Sequence, residues 1–435
     1  MSLLEDLRLG SSERNPLRSL FPQKTTTRPG AHTSSSNAAG AYLAVAAPGL
    51  GHRGVLMGKD LYSGSAFHFD TFELYAAKVL SSPHVIVNGM SGEGKSSGVK
   101  SHCTRQLTFK NRQAVVLDAQ GDGGTGEWTD IAEAMCITPV RLTPGQEGGV
   151  RINPLDPVIK PHRQKALLRA LLQIGLARPL ALGDGFVLDH ALDTARADAG
   201  DRVITLVDVL DKLTGPTEPA RNSNREYPVD ELAVMGESLA LALNELVSGP
   251  MRHSFDGPTS ESIDLDARLV IFDLSSLDRT SIAVPVVLAV VGEWLDHAWI
   301  RPDGVKRTLY LEEAWDYLQH EAVAALAKAW LKYGRRRGLS VWFVMHHPGD
   351  VSHSPAAAEV LKMAETRIVY KLRPEEAQLA GKRLQLPAWA VTLVSSRQMK
   401  QGFAVWAVGQ RTFFVQHVRS QLEKQIASTD KGMTP

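Results

Sequence analysis

Short β-branched runs alternate along this chain with stretches whose apolar residues recur at helical spacing. His84–Asn88 (HVIVN), bounded by Ser81-Ser82-Pro83 and by Gly89, predicts a buried strand. A helical pattern from Lys95 to about Thr108 follows, then a second buried strand at Gln113–Asp118 (QAVVLD). Strand, helix and strand in succession predict a parallel sheet with helical crossovers. From about Pro161 to Met251 the character changes. Arg163–Leu176, Phe186–Ala195, Ile204–Leu213 and Glu231–Leu246 all carry the helical period, and Gly, Pro and Asn cluster over Gly215–Tyr227. Strands return at Arg268–Leu274, Thr308–Leu311, Ser340–Met345, Thr366–Leu372, Phe403–Val408 and Arg411–His417, with a break expected at Pro387-Ala388-Trp389.

The pattern divides the chain into a Ser/Thr/Pro/Gly-rich disordered tail (1–45), a first part of an α/β core (46–160), a helical insertion (161–252), a second part of the core (253–424) and a flexible C-terminus (425–435). Composition changes this picture little. The 435 residues are 43% apolar and 22% charged, ordinary for a globular protein with a sizeable core. A net charge of +1 excludes a global basic field, so any nucleic-acid contact must be local, as at Lys332–Arg337 or Lys382-Arg383. Two cysteines, Cys103 and Cys136, form neither a zinc motif nor a disulfide framework, which points to a reduced, intracellular setting. The apolar run Ile282–Gly292 ends at Glu293, too short to span a bilayer, and predicts a buried helix. The N-terminus, acidic at Glu5 and Asp6, does not read as a secretory signal.

One segment carries specific chemistry. Gly89-Met90-Ser91-Gly92-Glu93-Gly94-Lys95-Ser96 satisfies G-x-x-x-x-G-K-[ST], between a predicted strand and a predicted helix. Its glycines let successive backbone N–H groups converge on one anion at a helix N-terminus. Lys95 is placed for the β- and γ-phosphates of ATP, and the Ser96 hydroxyl for Mg²⁺. Ser97 closes the binding segment, but Ser96 is the residue positioned for the metal. Hydrolysis also needs an acid near the metal and a second group that polarises water. Leu269–Asp273 (LVIFD) ends in one acid; Leu309–Glu313 (LYLEE) ends in two and suits that division better.

The ordered set of motifs resembles the motor ATPases of conjugative and type IV secretion systems (Vir/Tra type), in the HerA–FtsK group of P-loop proteins. The resemblance runs from about Gly51 to Glu423, through GVLMGKDLYSGSAFHFD (54–70), HVIVNGMSGEGKSS, LDAQGD (117–122), INPLD (152–156), GPMRHSFDGPTS (249–260), VIFDLSSL (270–277), EEAWDYL (312–318) and KYGRRRGLSVWFVMHHPGDV from Lys332. It implies a P-loop (RecA-like) α/β fold: a mostly parallel sheet flanked by helices, with an inserted all-α subdomain. It makes Glu312 the metal-side acid, Glu313 the catalytic one, and Asp273 an inner strand residue. Two positions depart from the family. Glu312 stands where Asp is usual, and Met345-His346 stand where Thr-Gln is usual, which gives His346 the sensor position. The family's large N-terminal domain has no counterpart here, which implies a separate protein or a shortened form.

The resemblance also implies a cytoplasmic ring, a hexamer of this chain at the inner face of the membrane. The ring would work with the membrane channel proteins of a transfer system, in channel assembly or in moving DNA (alone or as a relaxase–DNA complex), protein or pilus subunits. Arg335 or Arg336 is a candidate to complete a neighbour's site. Two other readings are a soluble DNA translocase of the same group and an ATP-binding assembly switch with little hydrolysis. His346, His347 and His353 lack the partners of a zinc site, and Trp315, Trp330 and Trp342 sit among apolar residues as core rather than base-stacking platforms.

Overall fold

The computed structural model describes residues 49–427, except 123–124, 223, 279–280, 315–317, 319, 347–354 and the side chains of 355–357. The expected tail (1–45), most of the expected flexible C-terminus, Trp315, His347 and His353 lie outside the described residues.

Eleven strands form one sheet: β1 (Val55–Asp60), β2 (Ala66–Phe69), β3 (Val85–Asn88), β4 (Arg112–Asp118), β5 (Val140–Arg141), β6 (Leu269–Asp273), β7 (Lys306–Leu311), β8 (Leu339–Met345), β9 (Thr366–Val369), β10 (Phe403–Val408) and β11 (Arg411–His417). Their order is β2-β1-β11-β10-β9-β3-β8-β7-β4-β6-β5. From β9 to β5 the pairs are parallel, and from β9 to β2 they are antiparallel. Strands β3, β6 and β8 are buried at every position, hence their nearly continuous apolar runs. Alternate residues feed two layers. Ile86, Val115 and Leu117 join one core; Val85, Val87, Ala114 and Val116 join the other, with Val99 and Cys103 of helix α2 (Lys95–Gln106).

The antiparallel edge was not predicted at Val55–Asp60, where Gly58-Lys59 interrupts the apolar run. A Cβ on Gly58 would meet the Gln416 carbonyl oxygen at 1.9 Å, and the pairing with β2 shifts register there. The glycine admits a close backbone approach within a strand rather than ending it. Several surface helices also escaped the sequence reading, among them α1 (Thr71–Ala76) and α3 (Thr129–Ala134).

The four predicted insertion helices are present as α4 (Pro161–Leu176), α5 (Leu182–Ala199), α6 (Leu206–Thr214) and α7 (Val229–Val247), with a small two-stranded ribbon pairing 220–221 with 226–227. They pack on the sheet: Leu168, Leu171 and Leu243 join the same core as Ile86 and Val115. Arg163 of α4 makes a bidentate ion pair with Glu293 of α8 (Ala283–Ala298), both bonds 2.7 Å long. Glu293 ends the apolar run but lies inside the helix, buried. Among the described residues, no helix is long and apolar enough to cross a membrane. The expected break at Pro387 is instead a helix start. Pro387 (φ −65°) caps α9 (Ala388–Val394), because its fixed φ suits a helix entry as well as a loop.

Candidate nucleotide-binding site

The register aligns the C-terminal ends of the parallel strands. Asn88 pairs with Met345, Leu311 with Phe343 and Leu117, and Asp273 with Asp118. In open α/β sheets this edge is where ligands bind. The loop 89–94 leaves the end of β3 and opens α2. Gly89, Gly92 and Gly94 take φ of 154°, 77° and 100°, conformations that L side chains rarely adopt. A Cβ on Gly89 would also lie 2.5 Å from Tyr370 Cβ. The loop is fixed from two sides. Met90 N donates to Lys371 O (3.0 Å), while Gly402 N donates to Glu93 O (2.9 Å) and Gln401 Nε2 to Gly92 O (2.7 Å).

Lys95 is buried, and its Nζ donates to Met90 O (2.9 Å) and to His346 Nδ1 (3.1 Å). Burial lowers its pKa to about 8, partly opposed by the charges of Glu313 and Glu312. An ammonium can only donate, so Nδ1 accepts and the ring proton falls to Nε2. That nitrogen lies 2.5 Å from Glu313 Oε1, with the Gln120 amide 3.2 Å away. Strand β8, which ends just before His346, lies between β3 and β7, so the imidazole can span from the loop lysine to the acid. Glu313 has φ +54°, a left-handed turn directly after β7.

Glu312 points elsewhere. It is 1% exposed, and Oε1 accepts from Trp128 Nε1 (3.2 Å). Burial raises its pKa to about 8, reinforced by the charges of Glu127 and Asp118. Asp118 accepts from Trp128 N (2.9 Å), and burial raises it to about 7. Lys100, fully buried, donates to the Glu127 carbonyl (2.7 Å) and lies 3.9 Å from its carboxylate.

Of these groups, Lys95, His346, Gln120 and Glu127 border a cavity of about 270 Å³. Ser91, Gly92, Gly94, Lys95, Ser96, Ser97 and His346 line it. The Ser97 hydroxyl donates to Ala427 O (2.8 Å) and accepts from Arg419 (3.1 Å). Gln120, Glu127, Gln401, Arg419 and Lys424 also line the cavity and were not foreseen. Gln120 lies within LDAQGD, a motif that could have pointed to it; the others sit in segments without a local signature. Arg335 and Arg336 fall in a short 3₁₀ turn (Gly334–Arg337) before β8, at the opposite edge of the sheet from the loop, and both are exposed. Asp273 pairs with Arg141 (3.1 Å) beside the acid cluster. Trp330 and Trp342 are buried in the two cores. Among the described residues, no group of three or more His, Cys, Asp or Glu side chains could hold a metal by itself.

A glycine loop from strand to helix, a neighbouring strand ending in a polar side chain, and a third ending in acids define the fold of a P-loop nucleoside triphosphatase. Among solved structures, the chain is similar to VirB4 of Thermoanaerobacter pseudethanolicus (TM-score 0.72, 16% identity, covering 87% of this chain and 100% of that one). It is also similar to the bacterial conjugative coupling protein TrwBΔN70 (TM-score 0.51, 12% identity, 78% and 85% covered) and to plasmid coupling protein TrwB in complex with ADP and Mg²⁺ (TM-score 0.51, 13% identity, 79% and 87% covered). No family model and no curated protein matches the chain. At these identities the likeness establishes the fold.

Proposed function

We propose that this chain binds and hydrolyses ATP as the motor of a conjugative or type IV secretion system, working as a homo-oligomeric ring. The observation that carries the reading is the chain Lys95–His346–Glu313 at the mouth of the glycine loop. Its support is the fold shared with VirB4 and TrwB, the latter solved with ADP and Mg²⁺. Loop amides and the α2 N-terminus hold the phosphates. Lys95 exchanges Met90 O and His346 for phosphate oxygens, and Glu313, oriented by His346, polarises the attacking water. The donors fit Mg²⁺, a hard cation: the Ser96 hydroxyl and the Glu127 carboxylate line the cavity, and one Glu127 carboxylate oxygen is buried without a hydrogen-bond partner. Glu312 would act from behind Trp128, through an intervening water. When bound, the cation neutralises charge on the β- and γ-phosphates.

Glu313→Gln is expected to bind ATP while steady-state phosphate release drops at least about 100-fold. Equal turnover would remove Glu313 from this role. A second reading, an ATP-dependent assembly switch with little hydrolysis, is favoured by the sealed, readily protonated Glu312. Tight ATP binding with negligible phosphate release, with or without DNA, would select it. The partners in the motor reading are membrane channel proteins and a DNA or relaxase–DNA cargo.

A further inference from the structure

Two cations enter the cavity from a part of the chain far from every motif above. Arg419 follows β11, and Lys424 belongs to the short helix α10 (Gln421–Ile426); both line the cavity. Among the described residues Arg419 makes one hydrogen bond, to Ser97 Oγ at 3.1 Å, and no ion pair. Most of its five N–H donors are therefore uncommitted. Lys424 likewise has no ion pair among the described residues. By contrast, Arg105 on α2 is fully engaged. It grips Glu423 through Nε (2.6 Å) and Nη2 (2.8 Å), donates to Val418 O (2.7 Å), and donates to Leu56 O. Ser420 and Glu423 complete a reciprocal cap, Ser420 N to Glu423 Oε2 (2.7 Å) and Glu423 N to Ser420 Oγ (3.2 Å). The segment carrying the two uncommitted cations is thus fastened to the same helix that begins at Lys95.

The direction of a bound nucleotide follows from the loop. Lysines at this position reach the β- and γ-phosphates, and the loop amides reach the α and β. Lys95 faces His346 and Glu313, so the γ end lies there. Arg419 enters beside Ser97, on the α-phosphate side. We propose that the segment 419–424 forms the second half of the nucleotide site, with Arg419 as an α-phosphate ligand, Lys424 as an outer cationic contact, and the Arg105–Glu423 pair as the brace that positions both. The proposal rests on the nucleotide-binding reading above and adds a residue set to it.

The test is equilibrium binding of MgATP and MgADP to the full chain by calorimetry, with thermal midpoints measured in parallel. Arg419→Ala should weaken ATP and ADP by the same factor, on the order of 10- to 100-fold, the scale of a charge-assisted hydrogen bond, with an unchanged midpoint. Arg419→Lys should recover part of the loss. Glu423→Gln, which breaks the brace and leaves both cations in place, should weaken both nucleotides too, and it carries the test if Arg419→Ala fails to fold. Unchanged affinity in Arg419→Ala, or a loss confined to ATP, would overturn the α-phosphate assignment. Lys95→Ala separates the two readings: if it binds ATP as tightly as the parent, nucleotide binding at this loop fails, and the assignment of Arg419 fails with it. If Lys95→Ala loses binding while Arg419→Ala and Glu423→Gln do not, only the second half of the site is refuted.

Discussion

At the scale of single residues, the site is governed by how deeply each charge is buried. Asp118, fully buried at the end of β4, is pushed up to about 7 by desolvation, against 3.8 when exposed. The folded state thus holds more protons than the unfolded state between about pH 4 and 7. Its contribution to stability is lost as pH rises through that window. The span corresponds to an upper bound on the order of 4 kcal/mol. Asp118→Asn keeps an acceptor for Trp128 N and removes the titration. Midpoints of the two proteins from pH 5 to 9 should diverge in favour of Asp118→Asn as pH rises. A difference that stays flat would mean that Asp118 is ionised throughout. Lys95 shows the opposite sign: desolvation lowers it to about 8, so an empty site loses this cation as pH rises above that value.

At the scale of elements, the glycine loop depends on what lies beneath it. Tyr370, just after β9, is 2% exposed, and its backbone N donates to Asn88 O (2.8 Å). A Cβ on Gly98 of α2 would meet the Tyr370 hydroxyl at 2.2 Å, with the next ring atom at 3.4 Å. Within a helix, Gly→Ala ordinarily stabilises by up to about 1 kcal/mol. Here overpacking should win, and Gly98→Ala should destabilise by roughly 1–3 kcal/mol and weaken ATP binding. Removing the hydroxyl relieves the clash, so Gly98→Ala with Tyr370→Phe should recover most of the loss in denaturant unfolding. Equal destabilisation of the single and double variants would show that Tyr370 is not what excludes a side chain there. The same logic applies to Pro387, where a break is expected and a helix starts, and to Gly58, which admits a close approach of Gln416 within a strand: neighbours rather than local propensity decide their role.

At the scale of the whole molecule, the sheet separates two sets of charged residues. His346 follows the C-terminal end of β8, while Arg335 and Arg336 precede its N-terminal end. Seven extended residues span roughly 20 Å, too far for these arginines to reach the loop of their own chain. A catalytic role for them therefore requires a neighbouring subunit. The double variant Arg335→Ala/Arg336→Ala should keep nucleotide affinity and lose at least about 10-fold in turnover if it supplies an arginine in trans. Mixing it with Glu313→Gln subunits should restore part of the activity, since each then provides what the other lacks. Undiminished turnover by the double variant would leave the two arginines as a solvated turn.

Much of the fold was legible because its signals are local. Buried parallel strands must be apolar on both faces, and β6 falls within the predicted Arg268–Leu274; the antiparallel β10 and β11 match the predicted Phe403–Val408 and Arg411–His417 residue for residue. The glycine loop was legible for the same reason: eight consecutive residues hold the positive-φ positions, the lysine and the hydroxyl. The sequence by itself determined this loop, the acid-ended strands and the helical insertion. Only the tertiary structure decided which of the two adjacent acids meets His346. Glu312 and Glu313 are adjacent in sequence, but a left-handed turn at Glu313 sends one to His346 and leaves the other under Trp128. Only the tertiary structure brought Gln120, Glu127, Gln401 and Arg419 to the same cavity, because strand order and the docking of the C-terminal segment on α2 bring distant segments together, and neither is encoded in any short stretch of the chain.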